Sequence, residues 1–103
     1  MKLKKFQLIT KKGCSKCRLV KEWLEHNNIS ILEWPIEEEW VADKLLKDPN
    51  FIQNFCDIES CTIYTPVIRL EETGQYYYKD LFGISGLREN YLKKLLDIPK
   101  VNN

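Results

Sequence analysis

With 103 residues, 44% hydrophobic and 30% charged, the chain has the makeup of one ordinary globular domain, 1–103, with no material for a second. A formal net charge of +1, with acidic and basic residues interleaved, gives no electrostatic ground for binding nucleic acid. Lys2, Lys4 and Lys5 are not followed by the apolar stretch of a signal peptide, and no run is long enough to span a bilayer, so a cytoplasmic protein without membrane contact is expected.

In chain order, Lys4 to Thr10 reads as a strand, apolar and β-capable. Gly13-Cys14-Ser15-Lys16-Cys17 follows, where that strand hands over to a helix running from Ser15 to about Asn27. Leu19, Val20, Trp23 and Leu24 fall on one face of this helix, and Asn27-Asn28 suits a left-handed cap at its end. Ile29 to Trp34 reads as a second strand closed by Pro35, which completes a parallel βαβ unit. Glu37 to Lys47 reads as a helix with acidic residues in its first turn, and Asp48-Pro49 as the cap and first position of a short helix from Asn50 to Cys56. Pro66 to Leu70 and Gln75 to Tyr78 flank Glu71-Glu72-Thr73-Gly74 as a hairpin. Gly86 to Asp97 is the final helix, with Leu87, Tyr91, Leu92, Leu95 and Leu96 as its inner stripe. The order β-α-β-α-β-β-α predicts a mixed four-stranded sheet with helices on both faces. Tyr76-Tyr77-Tyr78 and the tryptophans read as core and strand filling, His26 as a surface or cap residue, and Pro35, Pro49 and Pro99 as ordinary turn prolines.

The chemistry concentrates on the first cysteine pair. Structural disulfides are rare in the cytoplasm, so four cysteines point to redox chemistry or metal binding. A cysteine at a helix N-terminus meets unpaired N–H groups and the positive end of the peptide dipoles. Both favour thiolate, the reactive species, and such thiols have pKa values of about 3.5 to 7.5. Cys14 is therefore the candidate nucleophile, with Lys11 and Lys16 adding positive charge. Cys17, one turn along, is the candidate resolving thiol. Cys56 and Cys61 read first as two small buried apolar residues, or as a helix-end cysteine and a loop cysteine. A second redox disulfide, or with Cys14 and Cys17 a set of four metal ligands, are the alternatives.

Nearly the whole chain resembles the thioredoxin fold in its short glutaredoxin-like form, the segment Asp48 to Tyr64 being longer than that form needs. Thr10-Lys11-Lys12-Gly13-Cys14-Ser15-Lys16-Cys17 matches that family's first strand-to-helix turn. Tyr64-Thr65-Pro66-Val67 matches its cis-proline segment, and Phe82-Gly83-Ile84-Ser85-Gly86-Leu87-Arg88 its glycine turn before the last helix. Ser15 and Lys16 depart from the usual proline and tyrosine, and Ser85-Gly86-Leu87-Arg88 is nearer to redoxins served by thioredoxin reductase. Cys14 to Ile29 also resembles arsenate-reductase-like proteins, which carry Arg-Pro where this chain has Thr65-Pro66.

The resemblance implies a thiol–disulfide oxidoreductase with Cys14 and Cys17 catalytic and no metal. Pro66 would face the pair, and the freed Thr65 N–H and C=O would take an extended thiol substrate. Glutathione is the implied co-substrate, at a surface of Lys11, Tyr64, Thr65, Pro66, Ser85 and Gly86, with N–H groups at the last helix start holding a carboxylate. Glutathione or a thioredoxin-reductase-type flavoprotein is the implied donor, protein or small-molecule disulfides the substrates, and a monomer without bound cofactor the expected state. A metal or iron–sulfur carrier using the four cysteines and a redox-sensing interaction protein are the rival readings. Cys56 and Cys61 are expected to be dispensable for turnover.

Overall fold

A computed structural model describes residues 3–98; Lys2 and Pro99 lie outside them. Its order is β1 (Phe6–Thr10), α1 (Ser15–His26), β2 (Glu33–Pro35), α2 (Glu39–Leu46), α3 (Pro49–Phe55), β3 (Val67–Leu70), β4 (Tyr76–Tyr77), β5 (Phe82–Gly83), β6 (Gly86–Leu87) and α4 (Glu89–Leu96). The first four strands form one mixed sheet in the order β2-β1-β3-β4, with β1 parallel to β2 and antiparallel to β3. Every residue of β1 is buried, as a central strand covered on both faces requires.

Strand alternation divides the core in two. Phe6 and Leu8 of β1, with Ile68 and Leu70 of β3, face Val20 and Leu24 of α1 and Leu92 and Leu96 of α4. Ile9 and Val67 face the other way, against Val41 and Leu45 of α2 and Phe51 and Phe55 of α3. Helices therefore cover both faces, as the sequence predicts. On the α2–α3 side, Asp48 joins the helices to the sheet. It caps α3 by accepting from the Asn50 N–H at 3.0 Å, accepts from the Tyr76 hydroxyl at 2.6 Å and pairs with Arg69 at 3.8 Å. Burial and the Asp48 carboxylate together push the Tyr76 hydroxyl well above its ordinary pKa, so it stays a donor.

Several boundaries differ from those the sequence predicts. The second strand is three residues, not Ile29 to Trp34, and Pro35 belongs to it. It is a sheet edge, where a missing N–H is tolerated, and the next residue, Ile36, donates to Thr10 at 2.8 Å. The last helix starts at Glu89, not Gly86, because Gly86–Leu87 pairs back on Phe82–Gly83 in a hairpin the sequence reading lacks. Leu19 is 50% exposed and Trp40 46% exposed, so neither fills the core. The buried stripe of α1 is Cys17, Val20 and Leu24.

Candidate functional site: the Cys14–Cys17 turn

The turn between β1 and α1 is set by Gly13. Its φ is +76°, a left-handed conformation that side chains disfavour, and it lets the Cys14 N–H reach back to Lys11 O at 3.2 Å. Cys14 then sits as the N-cap of α1, and its Sγ accepts from the Cys17 N–H at 3.1 Å. Cys14 is bonded to Cys17. Cys14 is half-buried, while Cys17 is only 3% exposed. The sulfur facing solvent is thus the one at the head of the helix.

A second donor comes from across the sheet. The Thr65–Pro66 peptide is cis, and the Thr65 hydroxyl lies 3.5 Å from Cys14 Sγ, positioned to donate to it. Among the described residues the Thr65 backbone bonds to no other backbone group. Lys11, Cys14 and Thr65 line one depression of about 430 Å³. Tyr64 is 62% exposed and stacks on Tyr78 at 6.0 Å. Ser85 and Gly86 line a different depression, with Arg88 and Tyr91. Since α4 begins only at Glu89, they present a hairpin turn in place of a helix N-terminus. Lys16 turns its ammonium over the Phe82 ring, 5.2 Å from the centroid, linking that hairpin to the Cys14 turn.

A larger groove, about 830 Å³, also reaches the cysteine pair and is lined by Cys14, Cys17, Thr10, Lys21 and Glu33. Thr10 is buried and its hydroxyl donates to Glu33, whose carboxylate also meets Lys21 at 3.2 Å. The sequence reading missed this triplet. Alternation places Leu8 and Thr10 on one face, but Glu33 joins them only through the parallel register that sets it opposite Leu8. The Thr10 hydroxyl, and then Lys21, hold the Glu33 carboxyl below its usual range against the opposing effect of burial. Its pairing therefore stabilises the fold above the unfolded-state pKa, and this is lost as pH falls through the lower folded value. Urea titrations from about pH 6 down to about pH 3 should show a smaller loss of stability for Glu33→Gln than for the parent chain. Equal losses would mean that Glu33 takes no part in the acid response.

The other two cysteines are not a buried apolar pair. Cys61 is exposed, Cys56 is half-buried, and they are bonded to each other. The four sulfurs thus form two separate pairs, and no group of three or more metal-ligating side chains comes together among the described residues. No described helix is long and apolar enough to cross a membrane.

A βαβ unit, a cis-proline strand entry, a β-hairpin and a closing helix surround a Cys-x-x-Cys turn. The chain has the thioredoxin-like fold. Among solved structures it is similar to the thioredoxin-like protein BC3987 and to a mutant of that protein. The mutant structure matches with a TM-score of 0.60 and 23% identity over 94% of this chain and all of that one. The unsubstituted protein matches with a TM-score of 0.57 and 23% identity over 89% of this chain and all of that one. No protein-family model matches the chain, and no curated protein does.

Proposed function

We propose that this protein is a thiol–disulfide oxidoreductase of the glutaredoxin type. The observation that carries the reading is the environment of Cys14 Sγ, which receives the Cys17 N–H at 3.1 Å and faces the Thr65 hydroxyl at 3.5 Å at the start of α1. Donors aimed at a sulfur stabilise its thiolate more than its thiol. In the reduced protein, the Cys14 thiolate attacks a substrate disulfide. A bond forms from Cys14 to one substrate sulfur, and the other leaves as a thiolate. The Cys17 thiolate then attacks Cys14 Sγ, releases the second substrate thiol and closes the Cys14–Cys17 bond. Two electrons from glutathione or from a thioredoxin-reductase-type flavoprotein reopen it. Substrates are protein or small-molecule disulfides, and the chain acts as a cytoplasmic monomer without bound cofactor.

The assay is reduction of a glutathione mixed disulfide, run with glutathione and separately with thioredoxin reductase. Turnover with either donor supports the reading and identifies the donor. No turnover with both sinks it.

Glutathione recognition rests on Lys11, Tyr64, Thr65 and Pro66 beside Cys14, with Ser85 and Gly86 as the outlying members. Titration with glutathione should shift the amides of Lys11, Tyr64 and Thr65 most, and those of Ser85 and Gly86 less, because the latter line a separate depression. No shifts at millimolar ligand would remove glutathione and leave the flavoprotein donor.

A further inference from the structure

The second disulfide is built into the segment that delivers Thr65 to Cys14. Cys56 is the C-cap of α3, and its N–H bonds Ile52 O at 2.9 Å. Residues 57–60 form an exposed loop, with Ile58 fully in solvent. The loop's ends are held by backbone pairing. Cys56 and Cys61 face each other as an antiparallel bridge, Asp57 N donates to Ser60 O at 2.8 Å, and Thr62 N donates to Phe55 O at 2.7 Å. From Cys61 the chain needs only Thr62, Ile63 and Tyr64 to reach Thr65. Ile63 packs on the α2–α3 core, and Tyr78 touches both Phe55, at 4.6 Å, and Tyr64, at 6.0 Å. One short stretch therefore runs from a disulfide at the end of a helix that Phe51 and Phe55 pin to the core, to the hydroxyl that faces the candidate nucleophile.

We propose that the Cys56–Cys61 bond is a redox-operated clamp that holds Thr65 against Cys14, so that opening the bond makes Cys14 less reactive. The proposal rests on the reading of Cys14 as the exchanging thiol. The reductant class is a dithiol. Its thiolate attacks the exposed Cys61 sulfur, and Cys56 leaves as a thiolate and takes a proton from water. The second thiol of the reductant then displaces Cys61, giving an oxidised reductant and two protein thiols. The clamp opens after the active pair, because the two sites differ electrostatically. Cys14 begins a twelve-residue helix, whereas Cys56 ends one and has the carboxylates of Asp57 and Glu59 within its loop. Negative neighbours disfavour thiolates and slow exchange. With the bond open, only the exposed Tyr64 contact and the Thr62 hydrogen bond tie this stretch down, that hydrogen bond opens more often, and Thr65 gains freedom. Turnover survives, since Cys14 and Cys17 carry the chemistry, but the Cys14 thiolate loses a donor.

The test uses the full chain carrying Cys17→Ser, which leaves Cys14 free while Cys56–Cys61 stays closed, with the pairing verified by peptide mapping. The Cys14 pKa is read from the pH dependence of iodoacetamide alkylation. The same measurement is made after opening the second bond, once by adding Cys56→Ser and Cys61→Ser and once by phosphine reduction without further substitution. The expected result is a rise of about one pKa unit, or roughly tenfold less thiolate below the pKa, in both open forms. Faster exchange of the Asp57 and Thr62 amides, which are hydrogen-bonded while the bond is closed, should accompany it. An unchanged pKa with unchanged exchange overturns the clamp. Neither readout requires turnover, so the clamp can fail while the oxidoreductase assay succeeds, or the reverse. Reduction without substitution covers the case in which the serine variants do not fold.

Discussion

Cys14→Ser is expected to abolish disulfide exchange, whereas Cys17→Ser should keep the first half-reaction and accumulate a mixed disulfide at Cys14. The asymmetry follows from position. Cys14 Sγ lies at the helix head, within reach of the Cys17 N–H and the Thr65 hydroxyl, and is partly open to solvent. Cys17 is 3% exposed, so a substrate disulfide cannot reach its sulfur without opening α1. It can reach only the neighbouring sulfur, to which it is bonded here. Removing Cys14 thus leaves no accessible thiolate, and loss of exchange to the background of the free thiols is the expected result. Removing Cys17 leaves an attack with no resolution. Mass spectrometry of each variant after incubation with a glutathione disulfide reads the adduct directly. Alkylation of the reduced parent chain at neutral pH, followed by peptide mapping, should label Cys14 first. Faster labelling of Cys17 would exchange the two roles.

The second large effect is on stability. Leu8→Ala should lower the unfolding free energy by about 2–5 kcal/mol, the usual cost of emptying a fully buried leucine site. Leu8 is completely buried, on the central strand, and belongs to the core that receives both α1 and α4. β1 pairs on both sides, with Leu8 opposite Glu33 of β2 and Ile68 of β3, so the backbone cannot readily move in to fill the space. Domains of this size have about 5–15 kcal/mol to lose, and the melting temperature should fall on the order of 10–20 °C. Leu19→Ala provides the control. It removes the same side chain from a position that is 50% exposed, and its effect should stay within about 0.5 kcal/mol. Thermal and urea unfolding of the two variants separate these outcomes. A comparable loss at Leu19 would place that side chain in the core after all.

The local features were readable from sequence because short-range physics sets them. Cys14 and Cys17 fall at the head of a helix because a strand, a glycine with positive φ and an apolar helical stripe follow one another within a few residues. Asp48-Pro49 announces the start of α3, since the carboxylate accepts the Asn50 N–H and proline needs no partner for its own nitrogen. The order of strands and helices, and the burial of both faces of the sheet, follow from the same periodicities. Pairings between distant segments were not readable. Glu33 meets Thr10 only through a parallel register, and nothing in Ile29 to Pro35 says that its pairing with β1 starts at Glu33. Gly86 and Leu87 leave the final helix because they pair with Phe82 and Gly83, next to the fully buried Leu81. Leu19 and Val20 look alike in sequence, yet only the packing of α1 on the sheet makes one exposed and the other buried. The chain by itself thus determined the Cys-x-x-Cys turn and the order of the helices and main-sheet strands, each a matter of a few neighbouring residues. The Cys56–Cys61 bond closes one short loop, but the tertiary structure alone decided that the Thr65 hydroxyl faces Cys14 across 51 positions of chain, because such a contact depends on how the elements dock.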